Sequence, residues 1–315
     1  MSKDCILVTG GAGLIGRSLL SRLRADGRGA VGVDLAPKPA DEGVERVDVT
    51  DIHRLHAIAE QYAIGSIIHC GAVSGPMVMI DNPYGIIQAN VVGTANIIEL
   101  ARIRRLRRVV FCSSTSAYGP TTPPENEDGV REDVQLRPSS VYGATKVACE
   151  QLIAGYRQQH GLDAVSVRLS WVYGPGRTTD CVVRGMIGDA QAGVPTRLGW
   201  GADFPRQFIH VDDAVDALLA AHDAETCPQP VYNATGGTFM TIAEIGEAVS
   251  SALGAGDIQT APGPDPLDDH QHRFDIQAIG RDLGFHPRRT FQDGVRSYAD
   301  WLSSQPRTRN PEHQK

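Results

Sequence analysis

A short apolar run, Cys5-Ile6-Leu7-Val8, leads into Thr9-Gly10-Gly11-Ala12-Gly13-Leu14-Ile15-Gly16, and leucines then recur at 19, 20 and 23. Strand, glycine turn and helix in that order suit few folds. The run is as long as a strand buried on both faces of a parallel sheet. Gly10 permits the tight turn, Gly13 lets the backbone approach a pyrophosphate, and Gly16 lets the helix pack on the strand. The first helical turn, with Leu14 and Ile15, then offers free N–H groups and the positive dipole end to phosphates. A glycine-rich loop with no ligand is the plain alternative, and the next strand speaks against it. Ala30-Val31-Gly32-Val33 ends in Asp34, 21 residues after Gly13, near the spacing of about 20 for a ribose-binding acid. Asp34 would accept from both ribose hydroxyls and repel a 2′-phosphate, which points to NAD over NADP. Lys38 is the one nearby cation that dissents.

In mid-chain, Tyr142-Gly143-Ala144-Thr145-Lys146 sets a phenol and an ammonium one helical turn apart on one face. A free tyrosine has a pKa of about 10, too high for a base at neutral pH. A lysine one turn away favours the phenolate, and so does a cationic nicotinamide ring. Tyr142 can then take a proton from a substrate hydroxyl while hydride leaves the same carbon. Such pairs are common on ordinary helices, so the support comes from Phe111-Cys112-Ser113-Ser114-Thr115-Ser116-Ala117-Tyr118-Gly119. The strand Arg108-Val109-Val110-Phe111 delivers these hydroxyls to its C-terminal end, where open α/β sheets bind ligands. Ser114 is chosen to hold and polarise the reacting oxygen. Its neighbours also suit the capping of a turn.

With both motifs in view, the chain resembles an extended short-chain dehydrogenase/reductase of the NAD-dependent epimerase/dehydratase family, from about Ile6 to about Trp301. The likeness includes Asp48-Val49 after the third strand, which implies an adenine contact. It includes His69-Cys70-Gly71-Ala72 after the fourth, and Asn90 on the following helix. It extends to Val172-Tyr173-Gly174-Pro175-Gly176, to Arg206-Gln207-Phe208-Ile209-His210-Val211-Asp212-Asp213 and to Phe285-His286-Pro287. The resemblance implies NAD contacts from Gly10, Gly13, Leu14, Ile15, Gly16, Asp34, Asp48, Val49, Cys70, Gly71, Ala72, Asn90, Tyr142 and Lys146. It also implies Ser114, Tyr142 and Lys146 as the catalytic set. The expected substrate contacts are Ser74, Ser114, Thr115, Tyr142, Trp171, Arg177 and Arg206.

Departures from the family pattern narrow the substrate. Dehydratases carry an acidic pair just after the catalytic hydroxyl, where this chain has Thr115 and Ser116, so dehydration is discounted. Nucleotide-sugar epimerases usually place Asn where Arg168-Leu169-Ser170-Trp171 puts Trp171. Their second diphosphate-binding Arg falls at Asp265, an anion where a cation is wanted, although Arg273 is a possible stand-in. A diphosphate calls for several cations or backbone donors. Trp171 instead offers an apolar face to a sugar ring, and Arg177 a fork for a carboxylate. The leading expectation is NAD-dependent oxidation of a sugar or sugar-acid alcohol. The alternatives are a nucleotide-sugar 4-epimerase with retained NAD and a non-catalytic NAD sensor, and the intact Ser114, Tyr142 and Lys146 argue against the sensor.

Strands and helices alternate to about Arg168, which gives a doubly wound parallel sheet of α/β type. The expected division is a Rossmann domain over 1–175 plus about 207–234, and a smaller α/β substrate lobe over about 176–206 and 235–302. Residues 119–138, rich in proline and acids, read as an active-site flap, and 303–315 as a disordered tail. Net charge is −7 without a basic patch for nucleic acid, and the arginines at 102–108 suit a helix C-terminus. No apolar run approaches the roughly 18 residues of a membrane span. The six cysteines lack zinc-type spacing, and no metal is expected. A soluble, cytoplasmic enzyme is the reading. Helices over about 84–101 and 142–160 are apolar beyond one stripe, which with the family resemblance implies a homodimer.

Overall fold

The computed structural model of the chain describes residues 5–124 and 128–305. Strand β1 (Cys5–Thr9) passes through the glycine turn into helix α1 (Leu14–Ala25), followed by β2 (Ala30–Asp34) and β3 (Val44–Arg46). Next come α2 (Ile52–Gln61), β4 (Ile64–His69), α3 (Pro83–Ile87), a π-helical turn (Gln88–Val92), α4 (Gly93–Arg104) and β5 (Val109–Ser114). After α5 (Val141–His160) and β6 (Ala164–Leu169) the elements shorten to β7 (Trp171–Tyr173), α6 (Val182–Ala192), β8 (Thr196–Gly201), β9 (Pro205–Arg206) and β10 (Phe208–His210). The described chain closes with α7 (Val211–Asp223), β11 (Val231–Ala234), β12 (Met240–Thr241), α8 (Ile242–Leu253), β13 (Ile258–Ala261), α9 (Gln277–Leu283) and α10 (Phe291–Ser304).

Seven strands form one sheet in the order β11-β6-β5-β4-β1-β2-β3, every pairing parallel. This is the doubly wound arrangement that the β/α alternation predicts. The order in which strands are added reverses between β1 and β4, the switch point at whose C-terminal ends such sheets bind ligands. The apolar strands are buried on both faces. On one side Leu19, Leu20 and Leu23 of α1 and Ala214, Leu218 and Ala221 of α7 meet Val8, Val110 and Val167. On the other, Leu55, Ile58, Ile97 and Ile153 meet Leu7, Ile67 and Val109. A third core, with Met186, Ile187, Phe204, Ile245, Val249 and Tyr298, joins α6, α8 and α10.

Three boundaries differ from the sequence reading. The helix expected over 84–101 is interrupted by the π-helical turn that carries Asn90, whose side chain bonds outside its own helix to Val73 and Thr145. Residues 276–285, placed in the smaller lobe from sequence, pack on the main sheet, because Ile279 and Phe285 insert beside Tyr232 and Ala234. Ser303 and Ser304, assigned to the tail, complete α10; residues 306–315 of that tail lie outside the described residues. The 119–138 segment is tied down at several points: Val130 donates to the Arg273 carbonyl at 2.7 Å, and Thr121 to the His270 carbonyl at 3.1 Å.

Candidate active site

The glycine turn lies against the end of β4. Gly10 has φ +68°, and a Cβ there would press on the backbone of Cys70 and Gly71. A Cβ on Gly16 would overlap the Gly10 carbonyl, so α1 can approach β1 only with hydrogen at this position. Gly13 caps α1 without any side-chain bond, and no acid occupies its first turn. The N–H groups of Leu14 and Ile15 thus face a positive, open helix end. Asp34 Oδ2 accepts from Ala12 N at 3.1 Å and Oδ1 from Ala36 N at 3.1 Å, so the acid is aimed at the turn. Asp48 folds back on Thr50 (2.8 Å) and is exposed, while the Val49 carbonyl accepts from Asn96 at 3.0 Å. This cradle fits a dinucleotide: it is free of Cβ atoms where a pyrophosphate would lie and acidic where a ribose would.

Threonine and asparagine side chains bind the cradle to the helices behind it. Thr9 accepts from Gly71 N (3.0 Å) and contacts His69 Nδ1 (2.5 Å), while His69 Nε2 reaches Thr94 (3.0 Å). Burial, helped by the nearby Lys146 charge, pushes the His69 pKa down to about 3, so this ring is neutral. Asn90 clasps Val73 on both backbone atoms (2.8 and 3.1 Å) and donates to Thr145 at 2.9 Å. Ala72 lies between this clasp and Gly71, and Ser74, just beyond it, is exposed.

Ser140 caps α5 by accepting from Gly143 N at 3.1 Å. Tyr142 and Lys146 follow, both buried on one face. Lys146 Nζ donates to the Cys112 carbonyl at 2.7 Å and lies 5.7 Å from the Tyr142 ring centre. Burial opposes its charge, yet Tyr142, Cys112, Cys149 and Cys70 outweigh it and hold its pKa above the ordinary lysine value. Ser114 ends β5, and its Oγ accepts from Ser116 N at 3.1 Å. No Cβ fits on Gly143, because it would overlap the Ser116 carbonyl. The start of α5 therefore lies against the turn that carries Ser114. Phenol, ammonium and hydroxyl gather at the C-terminal edge of the sheet, beside the glycine cradle.

The expected substrate contacts are less uniform. Thr115 is buried, and its carbonyl accepts from Gln271 Nε2 at 2.8 Å. One face of Trp171 is taken by the Arg206 guanidinium, 4.7 Å above its ring, and its Nε1 donates to Asp268 at 2.8 Å. Arg177 does not offer a carboxylate fork, since its terminal nitrogens donate to the Val172 (2.6 Å) and Asp180 (2.9 Å) carbonyls. Arg206 is buried and paired with Asp265 and, at 3.1 Å, with Asp268. Asp265, expected to stand uncompensated, thus has its partner. Burial holds the Asp268 carboxyl above its ordinary value, although Arg206 and Trp171 pull it down. Asp268 and Gln271 reach the cleft from a loop without a motif, so the sequence carries no local signal for them. Among the described residues, no group of three His, Cys, Asp or Glu is placed to hold a metal ion. No described helix is long and apolar enough to cross a membrane.

Residues 6–234 match the NAD dependent epimerase/dehydratase family. The chain belongs to that family. It is therefore an NAD-dependent enzyme of the extended short-chain dehydrogenase/reductase type, as its motifs imply. The UDP-glucose 4-epimerase of Mycolicibacterium smegmatis is 32% identical over 92% of this chain and 95% of its own. The UDP-glucuronate 4-epimerase of Thermodesulfobacterium geofontis is 26% identical over 94% of this chain and 95% of its own. Among solved structures, MoeE5 in complex with UDP-glucuronic acid and NAD aligns with a TM-score of 0.83 at 27% identity, covering 95% of this chain and 98% of that one. The Thermus thermophilus UDP-glucose 4-epimerase complex with NAD aligns with a TM-score of 0.80 at 28% identity, covering 95% and 99%.

Proposed function

We propose that this protein oxidises a secondary alcohol of a sugar or sugar acid with net release of NADH. The observation that carries the reading is the buried Lys146 ammonium, pinned to the Cys112 carbonyl with the Tyr142 phenol one turn away and Ser114 on the adjoining turn. NAD, held by Gly10, Gly13, Leu14, Ile15, Gly16 and Asp34, with Asp48 and Val49 toward the adenine, supplies the hydride acceptor. Cys70, Gly71, Ala72 and Asn90 complete the wall of this site. Ser114 holds the substrate oxygen. Tyr142 takes its proton, and Lys146 stabilises the negative charge that appears on the phenol. Substrate specificity comes from Ser74, Thr115, Trp171 and the residues of the smaller lobe.

A second reading is nucleotide-sugar epimerisation, favoured by the epimerases among the relatives and by the position of Arg206. Epimerisation needs the oxidised sugar to turn while the rest of the substrate stays anchored. With Arg206 paired to two carboxylates, that anchor is weak. A screen of sugar acids, free sugars and nucleotide sugars, followed by nicotinamide absorbance, separates the two. Tyr142→Phe is the control: turnover should fall by roughly 10²–10⁴-fold while NAD binding persists. Near-normal turnover in that variant removes Tyr142 as the base.

We further propose a cytoplasmic homodimer formed through α3, the π-helical turn and α5. These elements pack together and leave Tyr84 (68% exposed), Ile87, Val92 and Val141 facing outward, apolar and uncovered by the chain's own lobe. Sedimentation at micromolar concentration should show the dimer; a monomer would count against it.

A further inference from the structure

Thr115, Ser170, Trp171, Arg206, Asp268 and Gln271 surround a space of about 10 Å³ beside the turn that carries Ser114, room for one water-sized group. Two of its walls are incomplete. Ser170 Oγ and Arg206 Nε are both buried, and neither has a hydrogen-bond partner among the described residues. Buried polar groups are rarely left so, and each of these two calls for a partner supplied from outside the chain.

The charge at this spot is unusual for a site that would receive phosphate. Arg206 enters the cleft already paired, with its Nε left open. One terminal nitrogen serves both Asp265 and Asp268, and its plane lies over Trp171. Both acids are themselves fixed, Asp265 by Leu267 N at 2.8 Å and Asp268 by Trp171 Nε1 at 2.8 Å. With one carboxylate ionised the cluster is neutral; with both it is negative. Arg177, the next cation along, is occupied by backbone carbonyls. A diphosphate brought here would meet carboxylates in a cleft of lowered dielectric, which is how a site rejects a wrong ligand.

We infer that Asp265 and Asp268 are specificity-determining residues that cap Arg206, exclude a nucleoside diphosphate, and leave a one-oxygen subsite for a hydroxyl of a polyhydroxylated substrate. This rests on reading the chain as an oxidoreductase of a sugar alcohol, but its test needs no turnover.

The probe is UDP, titrated calorimetrically into the NAD-loaded protein. The wild type should show no saturable binding below millimolar concentration. Asp265→Asn with Asp268→Asn keeps the shape and frees the guanidinium, and should tighten UDP binding by at least about tenfold. Adding Arg206→Ala to that pair should abolish the gain. Micromolar UDP binding by the wild type overturns the inference. So does a double variant that melts normally, binds NAD normally and gains nothing for UDP. If the double variant does not fold, the wild-type titration decides alone, its absence of binding supporting the inference. Failure of the oxidoreductase reading is a separate result, since it appears as no NADH from any sugar whatever UDP does.

Discussion

Glu150 and Arg168 form a buried ion pair beneath the active-site strands, and replacing Glu150 should cost more stability than almost any other single change. Their side chains are 2% and 3% exposed. Arg168 donates to Glu150 through Nε at 3.0 Å and a terminal nitrogen at 2.7 Å, and Ser113 donates to the same carboxylate at 2.5 Å. In Glu150→Gln the guanidinium keeps one amide oxygen at best, the Glu132 carbonyl at 3.0 Å and the Tyr118 ring at 4.6 Å. Removing one partner of such a pair costs about 3–5 kcal/mol, because the other charge stays buried. Against a total of roughly 5–15 kcal/mol for a folded protein, that is a large share. Urea unfolding should show a lower midpoint at an unchanged slope. Glu150→Met with Arg168→Met, which removes both charges, should recover at least half of the loss. A drop below about 1 kcal/mol in Glu150→Gln would refute the reasoning.

Two further outcomes follow from the cradle. Asp34→Ala should weaken NAD binding by roughly 10-fold or more, since bonds to a charged acceptor are worth about 1.5–3 kcal/mol each; tighter binding of NADP than of NAD by the wild type would refute the ribose assignment. His69, held neutral with a pKa of about 3, gives a signed pH effect. The unfolded ring takes up a proton near pH 6.5 and the native ring does not, so stability falls as pH drops from about 6.5 toward about 3, by up to about 1.4 kcal/mol per unit. Above that window this group contributes no slope. Urea midpoints at pH 7 and pH 5 should diverge less in His69→Gln than in the wild type, and equal slopes would remove His69 as the cause.

The parts of this molecule that could be read from sequence are those encoded within a few residues. Glycines at 10, 13 and 16 speak through backbone geometry, and Tyr142 and Lys146 through the helical period. Asp34 closes a strand whose pattern is complete in five residues. What escaped depends on which distant segments meet. Arg206 and Asp265 are 59 residues apart, and no local rule says that the loop beyond β13 returns to β9. The Arg177 guanidinium is illegible for a related reason: its acceptors are carbonyls, which every residue has and no motif marks. The π-helical turn at Asn90 arises from side-chain bonds to Val73 and to α5, and periodicity alone reads that stretch as one helix.

The most direct test follows nicotinamide absorbance and product together while the wild-type protein acts on its best substrate from the sugar panel. A free sugar or sugar acid should give one NADH for each oxidised product, and UDP should not inhibit. A UDP-sugar inverted at one carbon, with no NADH accumulating, would contradict net oxidation and make the protein an epimerase.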